Sequence, residues 1–517
     1  MARWDDGYVT DVTYTTEVYR ETTPAWLAMA ALLLGHRPPD LAQPFRYADL
    51  GCGHGLSALV TAATSPHAEV HAFDFNPAHI EFGRMLADRA GLTNIHFHEA
   101  SFAEIAAMAD DALPAFDFIV AHGVLSWISA ENQARLLDIV GQRLRPGGLA
   151  YISYNVSVGW AGMVPLRALM RMLAEASSER TDLSAAAIWT FVDKLKEGGA
   201  AFFAANPALD ARLTTMRRLD PRYLAHELLN KDWHPTMFAD VADAMAGAKC
   251  TFIGSASLVE NIDAVGVPPG VQPMVAEVRD IRLRETLRDF GAAQSFRRDI
   301  YRRGTPALPM PEHHRLLDAV TLHWTGQGAP GDIVFTTPLG SMTGNPEAYR
   351  PLLTALEAGP LTIAHARTIA PFAGRPMVEL LQAFALLIGG GFAHPGLPHG
   401  NGAEARRTSA ALNRAIGALN TDGTELPRLT CPVLGTALQV DMTETLVVEA
   451  LLSGHPADVA PLTEILREKL RRGGRTLRKD GNPVTNETEA MEVATTIVRH
   501  VLEKRAPVLR RLGVLEA

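Results

Sequence analysis

The chain has 517 residues, 47% of them hydrophobic and 20% charged, and its formal net charge is −9 at pH 7. This acidic balance argues against a general nucleic-acid-binding protein, and no apolar stretch of about 18 residues is free of charged or turn residues, so no membrane span is predicted. Cys52, Cys250 and Cys431 lie too far apart for a disulfide or zinc framework, and the acidic N-terminus lacks a signal-peptide core. We therefore expect a cytoplasmic protein of about two to four domains.

The first strong pattern is a glycine-rich turn between a strand and a helix. Residues 45–48 predict a buried strand, residues 49–55 form the turn D-L-G-C-G-H-G, and a helix begins near Leu56. Glycines let the backbone approach a ligand closely, and the N-terminus of the helix points free N–H groups at it. The pattern differs from the G-x-G-x-x-G of dinucleotide folds, and its leading acid favours a ligand with a cationic amine over one with a pyrophosphate.

Further strands and helices alternate with this first unit up to about residue 155. Asp74 ends the second strand, where doubly wound folds place a carboxylate that holds a ribose. Asn76 and Pro77 predict the start of a helix, and the motif R-P-G-G at 145–148 predicts the end of another. Ligands bind at the carboxyl ends of such strands. The strands predicted after the first are 69–74, 94–99, 116–120 and 149–153.

This ordered set of motifs, over roughly residues 40–160, resembles the class I S-adenosylmethionine (SAM) dependent methyltransferases. The resemblance rests on the glycine loop, the pair Phe73-Asp74, the strand 116–120 and the motif L-R-P-G-G at 144–148. It implies a Rossmann-like α/β fold with SAM as the cofactor. In that family the first loop contacts the methionine part, the acid after strand two holds the ribose, and the turn after strand three flanks the adenine. The implied cofactor residues are Asp49, Gly51, Gly53, Gly55, Asp74, Phe75, Ser101 and Phe102.

Segments outside this core carry a finer resemblance, to bacterial methyltransferases with a regulatory domain. That group includes rickettsial lysine methyltransferases that act on outer-membrane protein. The resemblance implies methylation of lysine side chains in a protein, a homodimer, and an N-terminal segment that folds over the cofactor. The segments that carry it are 14–19, 122–128, 151–156, 223–227 and 233–238.

The chain divides by pattern into four parts: a SAM-binding domain at 1–165, a helical insertion or dimerisation segment at 166–215, a regulatory domain at 216–310 and a mostly helical domain at 311–517. The last part contains a predicted winged-helix-like unit. Its second helix has no basic residue after Arg375, so we expect a protein-contact or structural role rather than DNA binding.

A cluster of seven basic residues within 467–479 is open to two interpretations. It is either a solvated helix end or a docking patch for an acidic protein surface.

Methyl transfer from a sulfonium is a direct displacement, so the protein mainly positions the reactants and removes water. A lysine acceptor, with a reference pKa of about 10.4, must first lose a proton, and burial among aromatic rings favours that loss. Tyr14 and His122 are expected on both the cofactor and the acceptor side. His122 is either a proton acceptor or a polar edge residue. The predicted catalytic residues are Tyr14, His122, Tyr154 and Asn155, and the predicted substrate-binding residues are Tyr19, Trp127 and Trp160.

No metal site is predicted, because the histidine pairs His96/His98, His313/His314 and His394/His399 lack cysteine or acidic ligands at familiar spacing. Two alternatives to protein lysine methylation remain. One is a small-molecule methyltransferase whose extra domains serve as a lid and a dimer interface. The other is a non-enzymatic regulatory protein that binds SAM.

Overall fold

The structure is a computed structural model that describes residues 16–109, 113–176, 181–219, 221–304, 306–327, 333–400, 402–479 and 481–516. Seven strands form its central sheet. They are β1 (Arg46–Leu50), β2 (Glu69–Asp74), β3 (Ile95–Glu99), β4 (Phe116–Ala121), β5 (Leu144–Asn155), β6 (Cys250–Ser255) and β7 (Phe296–Arg303). Their order is β3-β2-β1-β4-β5-β7-β6; β1 to β5 are parallel, and β7 is antiparallel to both neighbours. The predicted Rossmann-like α/β fold is confirmed.

Helices cover both faces of this sheet. Those of the first half of the chain are α1 (Pro24–Leu33), α2 (Leu56–Thr64), α3 (Pro77–Ala90), α4 (Phe102–Ala107) and α5 (Ala130–Arg143). Helix α3 begins where the sequence predicts. Asn76 caps it by accepting a hydrogen bond from the backbone N–H of Ala78 (3.0 Å), Pro77 takes the first turn, and Gly91 ends it in a left-handed conformation.

Two features of the sheet differ from the sequence prediction. Strand β5 begins at Leu144, directly after α5, so the R-P-G-G motif ends the helix and also starts the strand. Strand β7 was not predicted, yet it pairs with β5 from Leu149–Arg302 to Asn155–Phe296. The region expected as a regulatory domain therefore supplies the last two strands of the sheet.

The described residues between 157 and 229 form a helical region with its own hydrophobic core, which includes the segment 166–215 that was predicted to be helical. Its core combines Trp160, Met163, Met170 and Leu213 with Trp233 from the following loop. Its helices are α6 (Ser157–Trp160), α7 (Met163–Glu175), α8 (Thr181–Glu197), α9 (Ala201–Ala205), α10 (Ala208–Met216) and α11 (Pro221–Leu229). The helices around β6 and β7 are α12 (Phe238–Gly247), α13 (Asp263–Gly266), α14 (Gln272–Glu277) and α15 (Ile281–Ala292).

The C-terminal part is mostly helical and packs against helices α1, α2 and α3, which cover the sheet. Its helices are α16 (Met310–Asp318), α17 (Pro346–Ala358), α18 (Ile363–Ala366), α19 (Met377–Gly389), α20 (Ala403–Thr421), α21 (Met442–Leu452), α22 (Val459–Arg472), α23 (Glu487–His500) and α24 (Ala506–Arg511), with a π-helix at Val501–Arg505. Its strands are β8 (Thr321–Trp324), β9 (Val334–Thr337), β10 (Gly340–Thr343), β11 (Leu361–Thr362), β12 (Ala393–Pro395), β13 (Arg428–Cys431), β14 (Thr436–Gln439), β15 (Arg478–Lys479) and β16 (Asn482–Pro483).

Helix α20 packs against α2 and α3, and the hydroxyl of Thr408 donates to the backbone oxygen of Ala63 (2.6 Å). Helix α19, the second helix of the predicted winged unit, buries Leu380 and most of 383–388 and packs near Val259. Its apolar surface and its contacts fit a structural role. The winged-helix assignment itself stays a prediction.

Most side chains of the basic cluster at 467–479 are paired with acidic side chains of the same chain. Five of its seven side chains form ion pairs with nearby carboxylates, which favours a solvated helix end over a docking patch. The pairs are Arg467–Glu487, Lys469–Glu449, Arg471–Glu468, Arg472–Asp422 and Lys479–Glu489. Among the helices of the described ranges, none combines the length and apolar character that crossing a membrane would require.

Candidate active site

The glycine loop after β1 has the backbone that its sequence requires. Gly51 and Gly55 have φ angles of +77° and +71°, which favour glycine. A Cβ atom would also lie 2.5 Å from the side chain of Val124 at Gly51, and 2.5 Å from that of Phe97 at Gly55. Gly53 has φ +55°, and a Cβ there would meet no heavy atom within 4 Å. The loop thus packs against the protein at Gly51 and Gly55 and has free space beside Gly53, which a bound cofactor could occupy.

Two carboxylates border this loop. Asp49 is buried, and its side chain forms no hydrogen bond with any residue in the described parts of the chain. Burial, and then the charge of Asp74, raises the pKa of Asp49 to about 7. A buried carboxylate without a partner fits a ligand that brings a cationic amine, such as the methionine part of SAM.

Asp74 is held in place by its own neighbours. It accepts hydrogen bonds from the backbone N–H groups of Gly53 (2.8 Å) and Asn76 (2.9 Å), and a ring nitrogen of His79 lies 3.2 Å away. A carboxylate has about four acceptor positions, so three contacts leave one for a hydroxyl. This arrangement joins the loop to the end of β2 and fits the predicted ribose contact.

The turn after β3 is less open than the sequence suggests. The N–H and hydroxyl groups of Ser101 both donate to Glu104 (2.8 Å each), and the Ser101 oxygen caps α4. The half-buried rings of Phe75 and Phe102 are therefore better placed than the Ser101 hydroxyl to contact an adenine. These adenine contacts stay predictions.

His122 follows β4 and lies at the centre of a polar and aromatic group. Its Nδ1 forms a hydrogen bond with the hydroxyl of Tyr151 (2.7 Å), and its ring stacks on Tyr19 with 3.7 Å between ring centroids. Phe296, at the start of β7, approaches the same ring edge-on at 5.9 Å. Burial, and then the charge of Arg298, lowers the pKa of His122 to about 3. The imidazole is therefore neutral at physiological pH and is a weak base.

Arg298 of β7 is a member of this group that the sequence did not reveal. It lies opposite Ser153 across the β5–β7 pair, and the hydroxyl of Ser153 is 3.4 Å from Nδ1 of His122. Burial alone would lower the pKa of Arg298, but the neighbouring Tyr151, Glu21, Glu260 and Tyr19 raise it, so the guanidinium is charged.

The N-terminal segment 16–23, which we call the strap, covers the group around His122. The Tyr19 N–H donates to the hydroxyl of Ser57 (3.2 Å), while Glu17 forms an ion pair with Arg428. Arg20 donates to the backbone oxygen of Gly389 (2.7 Å). The strap is thus fixed both to helix α2 and to the C-terminal part. Tyr14 lies outside the described residues, and its predicted role stays a prediction.

Tyr154, which the sequence predicts to be catalytic, points away from the group around His122 in this structure. Successive residues of a strand face opposite sides, and Tyr154 faces away from Tyr151 and Ser153. Its side chain has no exposed surface, and its hydroxyl donates to Asp299 (2.5 Å) inside the protein.

An arginine of the protein lies near the ring of each of the two tryptophans predicted to bind substrate. The guanidinium of Arg212 lies 4.3 Å from the centre of the Trp160 ring, and Arg167 lies 5.8 Å from Trp127 and 4.7 Å from Trp233. Trp160 also donates from its indole nitrogen to the backbone oxygen of Ser295. The substrate-binding roles of Trp127 and Trp160 stay predictions.

Asn155 ends β5 where β4, β5 and the loop at 233–238 meet. Its backbone N–H donates to the hydroxyl oxygen of Ser126 (2.8 Å), and its carbonyl oxygen accepts from the N–H of Thr236. Its side-chain nitrogen is buried without a hydrogen-bond partner among the described residues, as are the Thr236 hydroxyl and the Trp233 indole nitrogen. The unsatisfied side-chain nitrogen of Asn155 leaves a hydrogen-bond donor that a ligand could satisfy, and its predicted catalytic role stays a prediction.

Comparisons with known proteins agree with this geometry. A model described as a methyltransferase domain matches residues 44–203, and one described as a predicted methyltransferase regulatory domain matches 220–303. The Synechocystis sp. protein sll1526, described as uncharacterized, is 34% identical over 511 residues, which cover 99% of each chain. The trans-aconitate 2-methyltransferase of Methylobacterium nodulans is 30% identical over 216 residues, covering 42% of this chain and 73% of that protein.

Among solved structures, PKMT2 from Rickettsia typhi in complex with AdoHcy shares the fold over 97% of this chain and 99% of its own, with a TM-score of 0.71 at 20% identity. The full-length relative and the two matching domains show that this chain belongs to the class I SAM-dependent methyltransferases that carry a methyltransferase regulatory domain.

Proposed function

We propose that the protein transfers the methyl group of SAM to the side-chain amine of lysine residues in a protein substrate. The observation that carries the proposal is the environment of His122, which combines stacked aromatic rings, a neutral imidazole and the cation of Arg298. Aromatic burial and a nearby cation both disfavour the charged ammonium and favour the neutral amine that attacks. The resemblance of segments 14–19, 122–128 and 151–156 to rickettsial lysine methyltransferases supports the same substrate class.

Each residue of the site then has a separate role in the proposed reaction. Asp49 holds the cationic amine of the cofactor, and Asp74 holds its ribose. Bound SAM would supply a methyl carbon on a positive sulfur, which a neutral amine could displace to give the methylated ammonium and S-adenosylhomocysteine. Tyr19, Tyr151 and Phe296 exclude water around the acceptor, and His122 stays uncharged beside it. No residue has to accept a proton during transfer, because the bound amine loses its proton to solvent before the methyl group moves.

Transfer of labelled methyl from SAM onto proteins of a cell lysate tests the proposal. We expect label in macromolecules, recovered after acid hydrolysis as methylated lysine. Prior acetylation of the lysate lysines should remove it, and so should Asp49→Ala in the enzyme. Label confined to the small-molecule fraction, or label that survives acetylation of the lysines, would show that the acceptor is something else.

One observation favours a second candidate, methylation of a carboxylate on a small molecule. The charged Arg298 can pair with an acidic acceptor, and a trans-aconitate 2-methyltransferase is among the relatives. Such an acceptor needs no deprotonation at neutral pH, since a carboxylate is already charged.

Arg298→Met separates the two candidates. With a lysine acceptor, loss of the cation raises the pKa of the bound amine, so the rise of kcat with pH shifts upward by about one pH unit. With a carboxylate acceptor, KM rises about 30-fold or more and the pH profile keeps its position. Arg302→Met, further along the same strand, is the control and should change neither quantity. An Arg298→Met enzyme with unaltered kinetics would exclude both roles.

A further inference from the structure

A second cluster of chemically active side chains lies on β2 and β3, away from the glycine loop. Glu69 and His71 are on β2, and His96 is on β3, the edge strand of the sheet. The strand register places His71 directly beside His96. One ligand atom from each of these three residues lies within 4.8 Å of the other two. Two imidazoles and a carboxylate therefore converge on one small volume.

The orientation of His71 is the one that a metal ligand needs. Its Nε2 faces Glu69 Oε1 at 3.1 Å, and its Nδ1 faces Nε2 of His98 at 3.0 Å. A histidine that binds a metal through one ring nitrogen almost always donates its other N–H to a fixed acceptor. His98 provides that acceptor. The second oxygen of Glu69 is held by Arg46 (2.6 Å), which fixes the carboxylate as well.

These hydrogen bonds alone would satisfy Arg46, Glu69, His71 and His98 without a metal. They do not involve His96, whose exposed ring lies 4.9 Å from that of His71 and forms no hydrogen bond with other residues of the described chain. We propose that Glu69, His71 and His96 bind one divalent transition-metal ion, with Zn²⁺ the best match. Two neutral imidazoles and one carboxylate suit Zn²⁺ and leave its fourth position to water.

An ion can reach the site from solvent, because His96 is exposed. Glu69 also lines an open cavity of about 440 Å³, together with Arg46, His67, Asn94 and Arg145. The sequence predicts no metal here, because the pair visible in it is His96 and His98 on one strand, without a cysteine or acidic ligand at familiar spacing. The partners of His96, which are Glu69 and His71, come from the adjacent strand, and only the β2–β3 register brings them together.

Calorimetric titration of Zn²⁺ into the metal-free full-length protein tests the site. We expect one ion per chain, and His96→Ala should weaken its affinity at least tenfold. His98→Ala, which removes only the orienting acceptor, should weaken it by about 10- to 100-fold. The control is His365→Ala, an exposed histidine on α18, which should bind as the unmodified protein does.

Co²⁺ gives a second readout, since a site of this kind produces visible absorption bands that His96→Ala should remove. Because His96 is exposed, this variant should keep the thermal unfolding of the parent protein. Binding of several weak ions without a fixed ratio, or binding of one ion that His96→Ala leaves unchanged, would overturn the proposal.

Discussion

Asp49→Asn is expected to weaken SAM binding by about 100-fold and to make the cofactor-free protein more stable. Burial and Asp74 raise the pKa of Asp49 to about 7, well above the ordinary value near 4. The cationic amine of the ligand favours the ionised carboxylate, so binding releases a proton. Affinity should therefore fall as pH drops below about 7, by up to tenfold per pH unit. The asparagine variant should lose this dependence.

The sign of the stability effect follows from the same shift. A raised carboxyl pKa means that the folded state binds its proton more tightly than the unfolded state. The cost of ionising Asp49 therefore grows between about pH 4 and pH 7 and is fully present above that range. Asparagine has no carboxyl group to ionise, so Asp49→Asn should stabilise the cofactor-free protein at pH 8 by about 2–4 kcal/mol.

Calorimetry with S-adenosylhomocysteine, in buffers with different ionisation enthalpies, measures the affinity and the released proton. Thermal unfolding without ligand measures stability. The control is Asp88→Asn, the same change at an exposed position of α3. Weaker binding together with lower stability would point to misfolding, and equal proton release in parent and variant would remove Asp49 from the amine site.

Arg297→Met is expected to cost about 3–5 kcal/mol of stability in the sheet. The guanidinium of Arg297 contacts three buried carboxylates, Glu285 (3.1 Å), Asp289 (2.7 Å) and Asp299 (2.9 Å). Without it, these acids remain together inside the protein with no cation among them. Burial already raises the pKa of Asp289 to about 7 and that of Asp299 as well. The loss should therefore be largest above about pH 7 and shrink in acid, as the carboxylates take up protons.

Hydrogen exchange of the amides of β7 at pH 7.5 and at pH 5.5 reports the local free energy of opening, which suits a chain with several domains. Arg282→Met is the matched control, because Arg282 pairs with Asp243 where both side chains are about half exposed. Its expected cost is below about 1 kcal/mol. Equal effects of the two substitutions would mean that the buried group contributes no more than a surface pair.

Much of the fold could be predicted from local patterns. The glycine loop, Asp74 and the capped helix α3 were visible because each depends on a few adjacent residues. Strand β7 was not, since its sequence F-R-R-D-I-Y-R-R lacks the apolar alternation of a buried strand. Its inward-facing charges are neutralised by acids of α15, and that pairing depends on tertiary structure.

The site was predicted less completely than the fold, for the same reason. His122 and Tyr19 do meet, but Tyr154 lies on the opposite face of β5 from Tyr151, and a sequence does not state which face of a strand borders the site. The arginines near Trp127 and Trp160 come from other helices, so the sequence did not show them either. The four-domain division, the cytoplasmic location and the homodimer stay predictions.

Strand β7 lies about 140 residues after its neighbour β5 in the sequence, which has a consequence for folding during synthesis on the ribosome. Strand β5 is complete at residue 155, but the strand that covers its free edge ends at residue 303. Until then the nascent chain presents an apolar edge with unpaired N–H and C=O groups, which can recruit strands from other molecules. A gene product shortened to residue 165 would keep that edge permanently and should aggregate. The shortest soluble form of this enzyme must therefore extend through residue 303.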